Sequence, residues 1–337
     1  MAGIYERGLA GRLKVADVGD KIYVAQGEVV PFSRLLKRGK KPTELTVAWP
    51  AQRWDDVGFD GLLDGSDMAE FSHSNRDMIE GCVMWLGTNG WMVSRLAGLT
   101  KSHGVAGGEM AKQASDDGLK LARMQEKQLL SDMECSVESG AVPWRSRGVM
   151  KWLSATAQAF KPVPEKYRPA AGCVYEGALA SFGSSNMETM LEAAATQKEG
   201  PVDLEGFCGI KLKSQMSSWA QRHVEDVNTA QALVRYNVNQ NEKKLMKVVD
   251  FFVFDSGRVK TFPTWFLMHD PVTGLPTAYT PRSGAFLDLR MWELRFMDNP
   301  AAYVEPAKRG GPRGYHDAVY TLVCHNPTGQ CAVRANT

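Results

Sequence analysis

The sequence predicts an α+β fold, and three observations predict it. One long amphipathic helix is expected over 109–134, ahead of a last third that reads mostly as strands. Two segments, 43–54 and 78–95, carry strand periodicity and bracket a long insertion. Two further strand pairs are separated by turn residues, one through Asp255-Ser256-Gly257 and one through Asn326-Pro327-Thr328-Gly329. The 337 residues suit roughly two folding units. Hydrophobic residues at 44% and charged residues at 23% are those of an ordinary globular protein, with enough chain to build a core without staples. With 40 basic and 38 acidic residues the net charge is +2, which excludes a generally basic nucleic-acid coat and a wholly acidic disordered chain.

Taken in order, residues 1–41 read as an arm. Short apolar pieces (Val15, Val18, Ile22, Val24, Val29, Val30) are broken by Gly11, Gly19, Gly27 and Pro31, and nine Lys/Arg against four acids give +5. Terminal segments stay ordered only when something holds them, so a docking surface is expected, with another copy of the chain as the candidate. Leu45, Val47 and Trp49 alternate with polar residues in TELTVAWPAQRW. In MIEGCVMWLGTNGWMVSR, Asn89-Gly90 either turns a hairpin or kinks one long strand. Between these segments, residues 55–77 carry seven acids against Arg76, giving −6. A structureless stretch of about 20 residues within a compact domain is uncommon and usually functional or disordered; this one reaches out as a projecting arm would.

The helix over 109–134 is expected to bury Ala111, Ala114, Gly118, Ala122, Leu129 and Met133, with Asp116 and Lys120 paired one turn apart. At 1.5 Å per residue it would be a spine of ~39 Å. Gly118 within it costs about 1 kcal/mol relative to Ala, which points to a close neighbour. Pro-rich loops follow, then helices over 186–197 and 213–223 with a short strand near 207–210 between them. No internal repeat or low-complexity segment is present.

Chemical motifs are few. No P-loop occurs, and GVAGGEM (104–110) lacks the spacing of a dinucleotide fingerprint. His316, Cys324, His325 and Cys331 match no common zinc pattern. Cys208 with His223 or His269 could form a nucleophile–base pair, though a packed thiol is the commoner use of such a cysteine. The acidic insertion could hold paired carboxylates or calcium, but it lacks the EF-hand pattern and a solvated face is the commoner reading. Nine tryptophans suit core and subunit-interface anchors better than base-stacking platforms, since basic residues flank few of them. The first residues, MAGIYERGLAGRLK, contain no apolar run of signal-peptide length. With Met1 heading the chain, no N-terminal pro-segment is expected to have been removed. The six scattered cysteines therefore read as reduced cytosolic thiols, and no membrane-spanning run is present.

The order of segments carries a resemblance. Pro31-Phe32-Ser33-Arg34-Leu35-Leu36 with Gly39-Lys40, a strand at Trp49, the long insertion with its return strand, and the spine helix come first. Phe207-Cys208-Gly209 leading to Ser214 and Trp219, then Phe254-Asp255-Ser256-Gly257-Arg258-Val259, follow. Leu287-Asp288 with Trp292-Glu293-Leu294-Arg295 and Tyr320-Thr321-Leu322 with Asn326 and Gly329 complete it. Over about residues 15–334 this resembles a major capsid protein of a tailed bacteriophage, with the Hong Kong 97-like fold, similar to the head protein of Escherichia phage SU-ten.

That resemblance implies an N-terminal arm (1–42), an extended E-loop (43–98), a P-domain (99–139 and 286–337) and an A-domain (140–285). It implies a non-enzymatic structural protein that assembles as hexamers and pentamers into an icosahedral head around double-stranded DNA. It would need no cofactor, would assemble in the host cytoplasm and reside in the virion, and would have portal, scaffold and decoration proteins as further partners. Another virion component (portal, tail or decorating protein) is the alternative, and a nucleic-acid-binding module a more distant one. Charge segregation leads to a sharper expectation. The acidic insertion (Asp55, Asp56, Asp60, Asp64, Asp67, Glu70) should lie on a basic surface of an adjacent subunit. Arg34, Lys37, Arg38, Lys40 and Lys41 are the first candidate for that surface, and Lys308, Arg309 and Arg313 the second. Some relatives of this fold join an E-loop lysine to a neighbour's asparagine; here no lysine occurs between Lys41 and Lys101, so that cross-link is not expected.

Overall fold

The computed structural model describes residues 31–53, 64, 76–95, 108–219, 237–238, 245–246, 250–269, 278–308 and 311–335. Residues 1–30 of the expected arm, nearly all of the acidic insertion and the end of the helix expected to reach 223 lie outside the described residues.

The described chain begins with α1 (Pro31–Leu35), whose proline suits a first helical turn, and β1 (Lys37–Arg38). Strands β2 (Thr46–Ala51) and β3 (Asp77–Cys82) pair antiparallel from Thr46↔Cys82 to Ala51↔Asp77. The insertion thus leaves and returns at one end of a two-stranded ladder, as the alternation predicts. Strands β4 (Met84–Gly87) and β5 (Trp91–Met92) lie on either side of Asn89-Gly90 and both pair with the same later strand, so this dipeptide kinks one strand. Gly90 has φ +80°, a left-handed conformation that glycine adopts without strain.

The long helix α2 spans Glu109–Leu129, about 32 Å, and stops short of 134. Its ladder is diverted: Ser131 N bonds Gln128 O (3.2 Å), Asp132 N bonds Met268 O (3.0 Å) and Met268 N bonds Leu130 O (3.1 Å). A strand-like bridge captures the chain where periodicity alone would continue the helix. The buried face also differs from the small-residue stripe. It carries Asp117, Leu121, Gln125, Glu126, Gln128 and Leu129, while Ala114, Gly118 and Ala122 are only half-buried and Ala111 is exposed. Polar residues can occupy that face because each of several finds a partner: Gln128 accepts from Tyr320 Oη (3.0 Å) and donates to Ser146 O (2.7 Å). Asp116 takes Lys112 as its ion-pair partner at 2.6 Å. The neighbour of Gly118 is His316, but a Cβ there would stand 3.6 Å from Nε2, an ordinary contact, so space does not demand glycine.

The remaining elements are α3 (Val149–Trp152), β6 (Val174–Tyr175), α4 (Ser184–Lys198), β7 (Val202–Cys208), α5 (Ile210–Trp219), β8 (Asn237–Val238), β9 (Leu245–Met246), β10 (Phe251–Phe254), β11 (Gly257–Pro263), β12 (Gly284–Leu287), β13 (Trp292–Lys308), β14 (Gly311–Cys324) and β15 (Cys331–Val333). One sheet has the order β1-β13-β14-β4 with β5 also on β14, and a six-stranded sheet runs β10-β11-β7-β12-β15-β6. The chain falls into two compact units. Described residues of Leu86–Arg123 and Pro300–Ala318 form one; those of Val30–Trp85, Met124–Asn299 and Val319–Thr337 form the other.

The larger unit holds the main core. Met187, Met190, Leu191 and Ala194 of α4 and Leu212 and Met216 of α5 pack on Val202 and Leu204 of β7, Val259 of β11 and Phe286 of β12. Alternation along β7 explains the assembly: Val202 and Leu204 face the helices while Asp203 is exposed. Within the smaller unit, buried Asp117 accepts from Thr88 Oγ1 (2.5 Å) and meets His316 Nδ1 at 3.0 Å.

The hairpin 251–263 forms as expected, with Phe254↔Gly257 closing it. The second expected hairpin, YTLVCH with QCAV, does not form. β14 ends in one sheet, whereas β15 pairs with β12 and β6 in the other. The turn is real: Asn326 Oδ1 accepts from Thr328 N (3.0 Å), and Gly329 has φ +68°. It carries the chain between sheets, and Trp292 Nε1 fixes its far side through Gln330 Oε1 at 2.6 Å. Residues 320–324 and 331–333 are buried at every position, the mark of strands covered on both faces rather than of a half-exposed hairpin.

Candidate assembly surfaces

The expected assembly would work through surfaces, and the first candidate is the root of the acidic insertion. In the ladder, Val47, Trp49, Ile79 and Cys82 are buried, while Ala48, Pro50 and Met78 are exposed. A loop from the same unit grips its edge. Tyr167 Oη donates to Ala51 O (2.8 Å), Lys166 pairs with Asp77 (2.6 Å) and Lys161 pairs with Glu80 (2.8 Å). The hydrogen bond from Lys166 holds the Asp77 carboxyl below the usual range. The last acid of the insertion is thus engaged within its own chain. Asp64 is exposed in a turn; Asp55, Asp56, Asp60, Asp67 and Glu70 lie outside the described residues.

The second surface is the basic ridge. Arg34, Lys37, Arg38, Lys40 and Lys41 are all exposed, and among the described residues none forms an ion pair. What lies beneath them is rigid. Phe32 is fully buried against Phe207 (centroids 4.9 Å apart, edge to face), and Leu36 is buried beside it in sequence. Glu126, near the end of α2, accepts from Phe32 N and Ser33 N, each at 2.8 Å. Burial pushes its carboxyl up, against the opposing effect of those two bonds. β1 then runs parallel to β13, with Lys37↔Glu293 and Arg38↔Leu294, and Gly39 N continues the ladder to Leu294 O. Arg38 lies over the Phe296 ring at 4.4 Å, and burial lowers its pKa. Five cations on eight residues are therefore presented from a fixed backbone.

The alternative basic cluster is weaker. Arg313 is already paired with Glu305 of its own chain (Nε–Oε2 2.6 Å). Lys308 ends β13, its side chain is outside the description, and Arg309 lies outside the described residues.

A third surface escaped sequence reasoning. β10 is the edge of the six-stranded sheet, and its Phe251 and Val253 are 51% and 72% exposed. Beside them, in register, stand Lys260 and Arg258, the latter paired with Asp203 at 2.6 Å. FFVF is apolar at every position and so gave no signal of an open face; which face stays open depends on the helices, which cover the opposite one. The grip residues Lys161, Lys166 and Tyr167 carried no local signal, because their partners are more than 80 residues away in sequence.

Other expected candidates scatter. Cys208 is buried in the core, where burial pushes its thiol up to about 12. His269 faces Asp132 (3.2 Å), His325 faces Glu293 (3.2 Å), and His223 lies outside the described residues. Trp152 and Trp292 are core anchors, while Trp85 and Trp265 are exposed.

A family model described as SU10 major capsid protein matches residues 5–337. No curated protein sequence matches the chain. Among solved structures, the capsid of cyanophage P-SCSP1u aligns with a TM-score of 0.60 at 10% identity, covering 96% of this chain and 92% of that one. The capsid of a native gene transfer agent (GTA) particle aligns at 0.61 and 10%, covering 100% of both chains. The capsid of cyanophage A-1(L) aligns at 0.61 and 11%, covering 95% and 97%. At these identities the likeness is one of fold.

Proposed function

The chain belongs to the SU10 major capsid protein family, and from that membership we propose that copies of it assemble as hexamers and pentamers into an icosahedral shell enclosing double-stranded DNA. The Hong Kong 97-like division belongs to the same reading: an arm over 1–42, an E-loop over 43–98, a P-domain from 99–139 with 286–337, and an A-domain over 140–285. The observation that carries it is the combination of a gripped two-stranded ladder, from which an acidic insertion departs, with a basic ridge whose cations form no ion pair among the described residues. A shell subunit must contact its own kind at several surfaces, each weak enough to correct errors, and closure of the lattice makes the sum strong. Opposite charges on two such surfaces supply register more than raw affinity.

In this reading the insertion of one subunit lies over Arg34, Lys37, Arg38, Lys40 and Lys41 of the next. The cluster of Lys308, Arg309 and Arg313 ranks lower because Arg313 already has Glu305. DNA would be held by weak, non-specific contact, with portal, scaffold and decoration proteins as further partners, and assembly would take place in the host cytoplasm. Expressing the chain and imaging the product by electron microscopy tests the assembly; a solitary monomer at all concentrations would overturn it. Reversing Lys37, Lys40 and Lys41 to Glu should abolish particles, and adding Asp55→Lys, Asp56→Lys and Asp60→Lys should restore them. Particles from the first variant at wild-type yield would reject the charge pairing.

A further inference from the structure

Two of the six cysteines stand side by side in a place suited to chemistry. Cys173, the last residue of a 3-10 turn, and Cys331, the first of β15, each immediately precede a member of the parallel pair Val174↔Ala332, so they stand one residue before that register begins. Both are fully buried and both belong to the core packed under α4, so their side chains turn to the same side. Each sulfur reaches that helix: Cys331 Sγ donates to Met190 O at 3.5 Å, and Cys173 Sγ lies 3.9 Å from Gln197 Oε1. Neighbouring strands are about 4.7–4.9 Å apart, inside the range of about 4.4–6.8 Å between Cα atoms that a disulfide spans.

A groove lies next to Cys173 in the chain, although neither sulfur lines it. The groove, of about 260 Å³, is lined by Gly172, Val174, Tyr175, Ser185, Asn186, Thr189 and Met190. Two of these flank Cys173 in the chain, and a third supplies the carbonyl that Cys331 bonds. A water-sized molecule occupies about 30 Å³, so the groove has room for a small oxidant, which would reach the sulfurs through local opening of the residues between.

We propose that Cys173 and Cys331 form a redox modification site, a latent intrachain disulfide that closes when a peroxide enters this groove. Cys173 is the attacking member. Its chain neighbours Gly172 and Val174 both line the groove, whereas neither neighbour of Cys331 does, so an oxidant in the groove meets Cys173 first. The Cys173 thiolate attacks one oxygen of hydrogen peroxide; the O–O bond breaks, and the departing hydroxide takes the thiol's proton and leaves as water. Cys173 is then a sulfenic acid. The Cys331 sulfur attacks the Cys173 sulfur, the S–O bond breaks, and the hydroxyl leaves as a second water with the Cys331 proton. In sum, two thiols are oxidised and one peroxide is reduced to two waters. The bond would join edge strand β6 to its neighbour. It would stay open in a reducing compartment and close outside one.

The test uses the full chain, exposed to graded hydrogen peroxide, quenched with N-ethylmaleimide under denaturing conditions and digested for mass spectrometry. A Cys173–Cys331 peptide pair lighter by two hydrogens is expected, with Cys208 and Cys324 still alkylated. The closed loop exceeds 150 residues, so the non-reduced chain should migrate faster on denaturing gels. Its unfolding midpoint should rise by about 5–7 °C, a gain that dithiothreitol abolishes. In Cys331→Ser, or Cys331→Ala should the serine disturb folding, dimedone should trap the sulfenic acid on Cys173. The proposal is overturned if both thiols remain alkylatable at peroxide levels that modify other cysteines. It is equally overturned if Cys173 passes to sulfinic acid without the link, or if either residue pairs with a different cysteine.

Discussion

Replacing Glu126 by Ala should loosen the basic ridge without touching any of its charges. The carboxylate accepts two backbone N–H bonds, from Phe32 and Ser33, at 2.8 Å each. Hydrogen bonds to a charged group contribute about 1.5–3 kcal/mol apiece, so the pair supplies about 3–6 kcal/mol before any offset. Burial opposes the charge, as the raised carboxyl pKa shows, and the net loss should be about 2–4 kcal/mol. Since each 1.4 kcal/mol is about a factor of ten, the open form of residues 31–41 should become at least about 30-fold more populated. Limited trypsinolysis reads this directly, because Arg34, Lys37, Arg38, Lys40 and Lys41 are exposed yet held on a fixed backbone. Glu126→Gln retains one acceptor and should fall between. The pH dependence has a definite sign. A carboxyl raised above its ordinary 4.5 contributes stability that is fully present below that value and fades as pH rises through the folded-state value. The Gln variant should lack that slope. Cleavage of the Ala variant at the parental rate would refute the anchoring role.

Asp288 should show the opposite sign. Burial pushes its carboxyl up, but Arg290 and Lys198 outweigh this and bring it to about 2 from 3.8. Asp288→Asn should therefore cost about 2 kcal/mol in urea unfolding at neutral pH, with variant and parent converging as pH falls from 3.8 through about 2. Gly311 has φ +113°, and a Cβ there would overlap the Val93 carbonyl oxygen. Gly311→Ala should cost about 1–3 kcal/mol by thermal unfolding, and a neutral result would mean the β14 start can shift. Finally, with no lysine between Lys41 and Lys101, particles boiled in detergent should run as single chains, and a covalent ladder traced to the insertion would contradict this.

Much of the fold was legible where local pattern and tertiary packing agree. The ladder follows from alternation in 43–54 and 78–95, and the hairpin 251–263 from its turn residues. The long helix was legible in existence but not in its face. Its buried side bears Asp117, Glu126 and Gln128, which hydrophobic periodicity assigns to solvent because it cannot see the distant groups that satisfy them. The same blindness produced the false terminal hairpin: a good turn between two apolar strands does not say whether they share a sheet. Of the assembly surfaces, the charge segregation was visible in the composition of 34–41 and 55–77. The rigid mount beneath the ridge was not, since it depends on Glu126 and Phe207, far along the chain.

The crossing of the chain from β14 into β15 has a temporal consequence. β15 sits inside the six-stranded sheet, between β12 and β6, although it follows all the other described strands in the chain. Until residue 333 has emerged from the ribosome, the sheet has a gap in its interior and β6, made some 160 residues earlier, has no neighbour within it. Completion of this core therefore waits on the emergence of residue 333. A nascent or truncated chain lacks a finished subunit body to offer to a growing particle.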